Sequence, residues 1–188
     1  MGIKNQMKTI EEELAKKQER FDSANVLTRD VIRNSAKAIT FAHNDEMEEA
    51  LRSIEKAREG MQGISKLRGE FAYITSQASQ ELAEATIFYW IKKMGKVIGP
   101  KEAGIDYEQY LLGLMDVVGE LKREILLSLK NNNAKSAKLY LTIMEEIYDS
   151  TRSIRFAEAV LPYFRKKQDV ARIQLESASS DIIRFLKS

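Results

Sequence analysis

Two pairs of carboxylates stand out in this sequence because of where they sit. Gln80-Glu81-Leu82-Ala83-Glu84-Ala85 lies within the stretch from Phe71 to Met94, where Tyr73, Ile74, Leu82, Ile87, Phe88, Tyr89, Trp90 and Ile91 leave almost no polar face. At about 100° per residue, a helix sets Glu81 and Glu84 only about 60° apart. Phe88 and Ile91 continue their stripe, and Ile74 lies one to two turns before it. Anions in an apolar stripe are costly unless a cation meets them. That cation is either a Lys or Arg from a neighbouring helix or a metal ion, and the spacing leaves both open. The second pair, Asp116 and Glu120, is spaced i, i+4 and shares one helix face. The apolar stripe of that helix (Tyr107, Leu114, Val118, Leu121, Ile125) lies roughly opposite, so this pair taken alone reads as solvated. Gly119 between them would admit the close approach of another backbone.

Taken together, four carboxylates from two helices suit hard, oxygen-loving cations such as Mg²⁺ or Mn²⁺. Such ions, when paired, activate a water and stabilise the leaving oxygen of a phosphodiester. A ferritin-like di-iron centre would need two Glu-x-x-His motifs. The sole histidine, His43, has Thr40 three residues before it, which disfavours iron. His43 itself reads as a helix-end histidine near the C-terminal dipole.

The elements that must carry these residues are helices. With two prolines and nine glycines in 188 residues, the chain has few breakers, which implies long uninterrupted helices. Apolar residues recur at helical spacing from Met7 to about His43. Asp45 with Glu48 reads as a capping pair opening a second helix, which weakens between Gly60 and Gly69. A third helix is expected from about Phe71 to Met94. Its apolar surround marks it as central to a bundle or to a subunit interface. Gly95 to Gly104 is a connector. A fourth helix is expected over about Tyr107 to Lys130, closed by Asn131-Asn132-Asn133. A fifth is expected over about Ala134 to Glu158, and a sixth from near Pro162 to Leu186. No strand pattern or repeat is visible. The fold expected is all-α, one domain over residues 1–188, a bundle of about six to seven helices.

At the acidic residues the sequence resembles the translin superfamily. Gln80-Glu81-Leu82-Ala83-Glu84-Ala85 is similar to the Gln-Glu-x-x-Glu-Ala segment of the translin-associated factor X branch. Asp106-Tyr107 with Tyr110 through Leu121 is similar to that branch's Asp-Tyr-Leu-Leu-Gly-x-x-Asp-x-x-Gly-Glu-Leu run. Ile147-Tyr148-Asp149-Ser150 and the stretch from Tyr163 onward also resemble family segments. The clear similarity runs from about Gln80 to the C-terminus. Glu108-Gln109 interrupt the pattern, and Asn131-Asn132-Asn133 replaces a glycine-containing turn. The resemblance implies a helical subunit of closed octamers that hold RNA inside, single- or double-stranded. It also implies a Mg²⁺-dependent endoribonuclease whose catalytic and metal-ligating acids fall on Glu81, Glu84, Asp116 and Glu120. The chain is short beside its eukaryotic relatives, which favours a single-component homo-oligomer. A non-catalytic RNA- or DNA-binding scaffold, with the acids as structural ion pairs, is the alternative.

Composition is compatible with both readings. Apolar residues make up 44% and charged residues 31%, the balance of a globular chain. The absence of cysteine excludes disulfides and thiolate metal sites and makes the cytoplasm the expected setting. No run reaches the roughly 18 apolar residues of a membrane span. The net charge of +2 leaves room for local basic surfaces. Arg29, Arg33 and Lys37 form one stripe on the first helix. Arg152 and Arg155 pair on the fifth, and Arg165, Lys166 and Lys167 open the sixth. These are the candidate phosphate contacts, each set against the reading of an ordinary solvated face. Duplex RNA is recognised largely by shape, phosphates and 2′-hydroxyls, so no base-reading motif is required.

Overall fold

The computed structural model describes residues 2–65 and 70–187. Among them the chain is all-α, with seven helices: α1 (Ile3–His43), α2 (Met47–Ser65), α3 (Ala72–Met94), α4 (Pro100–Ala103), α5 (Tyr107–Lys130), α6 (Ala134–Thr151) and α7 (Phe164–Lys187). The order arises from a few breakers. Gly95 and Gly104 close α3 and α4 in the left-handed region that glycine tolerates, and Pro100 opens the one-turn α4. The three asparagines divide the labour between α5 and α6. Asn131 caps α5, Asn132 takes φ 56°, and Asn133 accepts the Ser136 N–H to open α6.

Three boundary expectations need correction. Asp45 does not cap α2: it takes φ 61° and turns its carboxylate onto Lys92 Nζ at 2.9 Å, so the helix begins at Met47. The fifth helix of the sequence reading stops at Thr151 rather than near Glu158. Gln168 of α7 donates to the Thr151 carbonyl at 2.7 Å, and the Thr151 hydroxyl bonds back to the Ile147 carbonyl; both favour ending the helix there. Helix α2 continues through Gly60 to Ser65, and the rest of the expected Gly60–Gly69 weakening falls on 66–69, outside the described residues.

α3 and α5 pack against each other at the centre; α1 and α2 cover α3, while α6 and α7 cover α5. One continuous core joins them, with Ile87, Phe88, Ile91, Val117, Leu121 and Ile125 fully buried. The first part of α1 leaves this core. Residues 2–23 are all exposed, and Ala24 is the first buried position. Ile3, Met7, Ile10 and Leu14 stand out on that arm at the alternating four- and three-residue spacing of a coiled-coil seam, and Phe21 follows seven residues after Leu14. No helix among the described residues is long and apolar enough to cross a membrane.

Candidate acidic site between α3 and α5

The centre of the molecule is set by a glycine. A Cβ on Gly113 of α5 would lie 2.6 Å from Ala83 Cβ, 2.8 Å from the Gln80 carbonyl oxygen and 2.8 Å from Glu84 N. Only glycine lets α5 come this close to the turn of α3 that carries Glu81 and Glu84. The expectation of a close approach at Gly119 is therefore corrected: Gly119 faces only the Gln174 side chain, 3.3 Å from a hypothetical Cβ.

From that contact, α5 presents Asp116 and Glu120 to the same region. They are not solvated, as their own helix would suggest: their side chains are 27% and 25% exposed, because α3, α7 and the end of α1 close over that face. Asp116 accepts from Gln80 Nε2 at 2.7 Å and pairs with Lys167 of α7. Glu120 Oε2 lies 2.5 Å from His43 Nε2. Glu81 and Glu84 are half-buried, and neither has an ion-pair partner among the described residues.

The four acids act on one another electrostatically. Glu84 is pushed up to about 8, first by burial and then by Asp116, Glu81 and Glu120, with Lys167 opposing. Glu81 is also raised, by burial and then Asp116, again opposed by Lys167. A carboxyl surrounded by three others is held protonated unless positive charge arrives. Among the described residues, no three Asp, Glu or His side chains are gathered closely enough to hold a metal ion as they stand; Lys167 pairs with Asp116, and His43 with Glu120. The donor chemistry still fits a hard divalent cation, because all four groups are carboxylates.

His43 ends α1, as its helix-end reading expects, but its surroundings add a second role. His43 is buried, and its two ring nitrogens face two carboxylates, Glu120 Oε2 and Glu124 Oε1, each at 2.5 Å. A neutral ring has one N–H, so donation to both oxygens needs the imidazolium. Burial works against that charge, but the bonds to Glu120 and Glu124 outweigh it and hold the pKa above its ordinary value. Glu124, 4% exposed, also receives Lys92 Nζ at 2.8 Å. Burial would raise its carboxyl, yet His43 and Lys92 keep it low. Sequence reasoning missed Glu124 and Lys92; the signal available was the four-residue spacing of Asp116, Glu120 and Glu124, a line of acids on one face of α5.

The expected basic groups sit on three different parts of the chain, each with its own partners. Arg29, Arg33 and Lys37 are exposed on α1, with Arg33 tied to Asp30 at 2.8 Å. Arg152 and Arg155 lie beyond the end of α6, contrary to the expected helical pair. Arg152 meets Asp149 at 3.4 Å, and Arg155 donates to Gln168 at 2.9 Å. Arg165 and Lys166 are exposed in the first turn of α7, whereas Lys167 turns inward to Asp116. Lys166, Lys167, Asp116 and Tyr163 line a cleft of about 360 Å³, which reaches Asp116 of the four acids.

The profile of the Translin family matches residues 1–178. The chain belongs to the Translin family. An uncharacterized protein of Methanocaldococcus jannaschii is 33% identical over 168 residues, which is 86% of this chain and 74% of that one. Among solved structures, this Translin-family chain is similar to AfC3PO bound to duplex RNA (TM-score 0.82, 27% identity, 96% of each chain). It is also similar to AfC3PO alone (TM-score 0.83, 28% identity, 96% of each chain). Apo-NeC3PO superposes with a TM-score of 0.86 at 21% identity, over 95% of this chain and 96% of that one, a likeness of fold.

Proposed function

We infer that the chain is an RNA-binding subunit of a homo-oligomer, of the translin-associated factor X type, that hydrolyses phosphodiester bonds with a divalent cation at its acidic site. The observation that carries this reading is Glu84, half-buried without an ion-pair partner among the described residues and held toward the protonated state by burial and by Asp116, Glu81 and Glu120. A fold gains nothing from such crowding on its own account, whereas a divalent cation would compensate it. Glu81, Glu84, Asp116 and Glu120 would hold Mg²⁺, with Mn²⁺ as a substitute. When bound, the ion supplies the Lewis acidity that phosphodiester hydrolysis needs. Lys167 counters the acids in the absence of metal, and its release from Asp116 would free an ammonium at the mouth of the cleft beside Lys166, where a phosphate would arrive. The duplex RNA in the AfC3PO complex supports RNA as the ligand. The exposed seam Ile3, Met7, Ile10, Leu14 on α1 supports assembly, for which a closed octamer acting in the cytoplasm is the form proposed.

A second reading has its own observation. Asp116–Lys167 and Glu120–His43 are complete ion pairs, as a non-catalytic RNA-binding scaffold would have. A labelled short RNA incubated with Mg²⁺, Mn²⁺ or EDTA, beside Glu84→Gln, decides between them. Metal-dependent cleavage lost in the variant is the expected result; binding without cleavage in every metal would leave the scaffold.

A further inference from the structure

His43 lies at the end of α1, outside the four acids, yet it touches one of them. It belongs to a chain of alternating charges: Asp45, Lys92, Glu124, His43, Glu120. The inner members are deeply buried, with side chains 7%, 6% and 2% exposed for Lys92, Glu124 and His43. Each of those three meets an opposite charge on both sides. The two ends do not: Asp45 is 80% exposed to water, and Glu120, 25% exposed, stands at the acidic site. Glu120 is thus a terminal anion, compensated through Oε2 alone, while Oε1 has no hydrogen-bond partner among the described residues.

We propose that His43 is a positioning residue of the acidic site: it fixes the Glu120 carboxylate through Oε2 and leaves Oε1 to a divalent cation. The inference rests on the cation-binding reading of that site. The geometry is specific: one ring nitrogen of His43 meets Glu120 Oε2 at 2.5 Å, while Glu124, itself held by Lys92, fixes the other ring nitrogen from behind, as partners behind a metal ligand do. A histidine that only pinned α1 to α5 would need Glu124 alone.

The test is Mn²⁺ binding, read by the electron paramagnetic resonance of free Mn²⁺, for the wild type, His43→Phe and His43→Gln. Phenylalanine keeps the ring and removes both donors; glutamine keeps one. The expected result is Mn²⁺ affinity weakened about 10- to 100-fold by His43→Phe and less by His43→Gln. Equal affinity in all three, with a lowered Tm in the variants, overturns the positioning role and leaves a structural pin. A wild type that takes up no Mn²⁺ removes the cation-binding reading itself, which separates the two failures. Should His43→Phe not fold, the wild type serves alone. With the sole histidine labelled in its ring nitrogens, Mg²⁺ should shift the Nε2 resonance in the wild type and not in Glu84→Gln. An unmoved resonance at saturating Mg²⁺ overturns the proposal.

Discussion

Replacing Glu84 by glutamine should stabilise the metal-free protein, against the usual cost of altering a half-buried residue. An ordinary carboxyl titrates near 4.5, and Glu84 is pushed up to about 8 by burial and by Asp116, Glu81 and Glu120. The folded protein therefore keeps this proton to higher pH than the unfolded chain does. For a raised carboxyl, stability is fully present below the unfolded value and is lost as pH rises through the folded one. With those two values, the cost of Glu84 comes to about 1 kcal/mol at pH 5, about 3 kcal/mol at pH 7 and on the order of 5 kcal/mol at pH 9. Glutamine keeps the shape of the protonated acid and never ionises, so Glu84→Gln should recover these amounts. Urea melts of both proteins in EDTA at the three pH values, at one fixed protein concentration, measure the difference. The variant should be more stable throughout, by a margin that widens with pH. Saturating Mg²⁺ should then narrow the gap, since ligand at about 100 times its Kd stabilises the wild type by about 3 kcal/mol. A variant less stable than the wild type at pH 7, or a margin that does not grow with pH, would refute the convergence of the four acids.

Two further outcomes follow from packing. Gly113→Ala should destabilise by about 1–3 kcal/mol, measured by thermal melting, because its methyl would meet the α3 backbone at 2.8 Å. By parting α3 from α5 it should also abolish any metal-dependent cleavage. Ile10→Glu with Leu14→Glu should leave helix content unchanged in circular dichroism, since both side chains are at least half exposed. The same pair should lower the mass measured by light scattering; an unchanged mass would show that the α1 seam is not an interface.

The linear sequence determined what depends on neighbours a few residues away. The long helices follow from the scarcity of breakers, and α5 begins and ends at the residues its spacing marked. Glu81 and Glu84 could be recognised because their own helix is apolar around them. Asp116 and Glu120 were recognised by spacing and by resemblance, but their environment was misjudged, because what buries them is not on α5. It comes from Gln80 on α3, Lys167 on α7 and His43 on α1. The same limit explains the two errors of detail. Gly113 and Gly119 are equivalent as glycines, and only the helix crossing decides which one meets a backbone. Asp45 has the residue type and spacing of a cap, but a buried Lys92 drew it away. His43 at the end of a helix satisfies a local dipole argument completely. Tertiary structure alone, by bringing Glu124, 81 residues away, and Glu120, 77 residues away, onto its two nitrogens, made it part of the acidic site. Helix periodicity is written in local spacing, whereas the partner of a charge is chosen by whichever element packs over it.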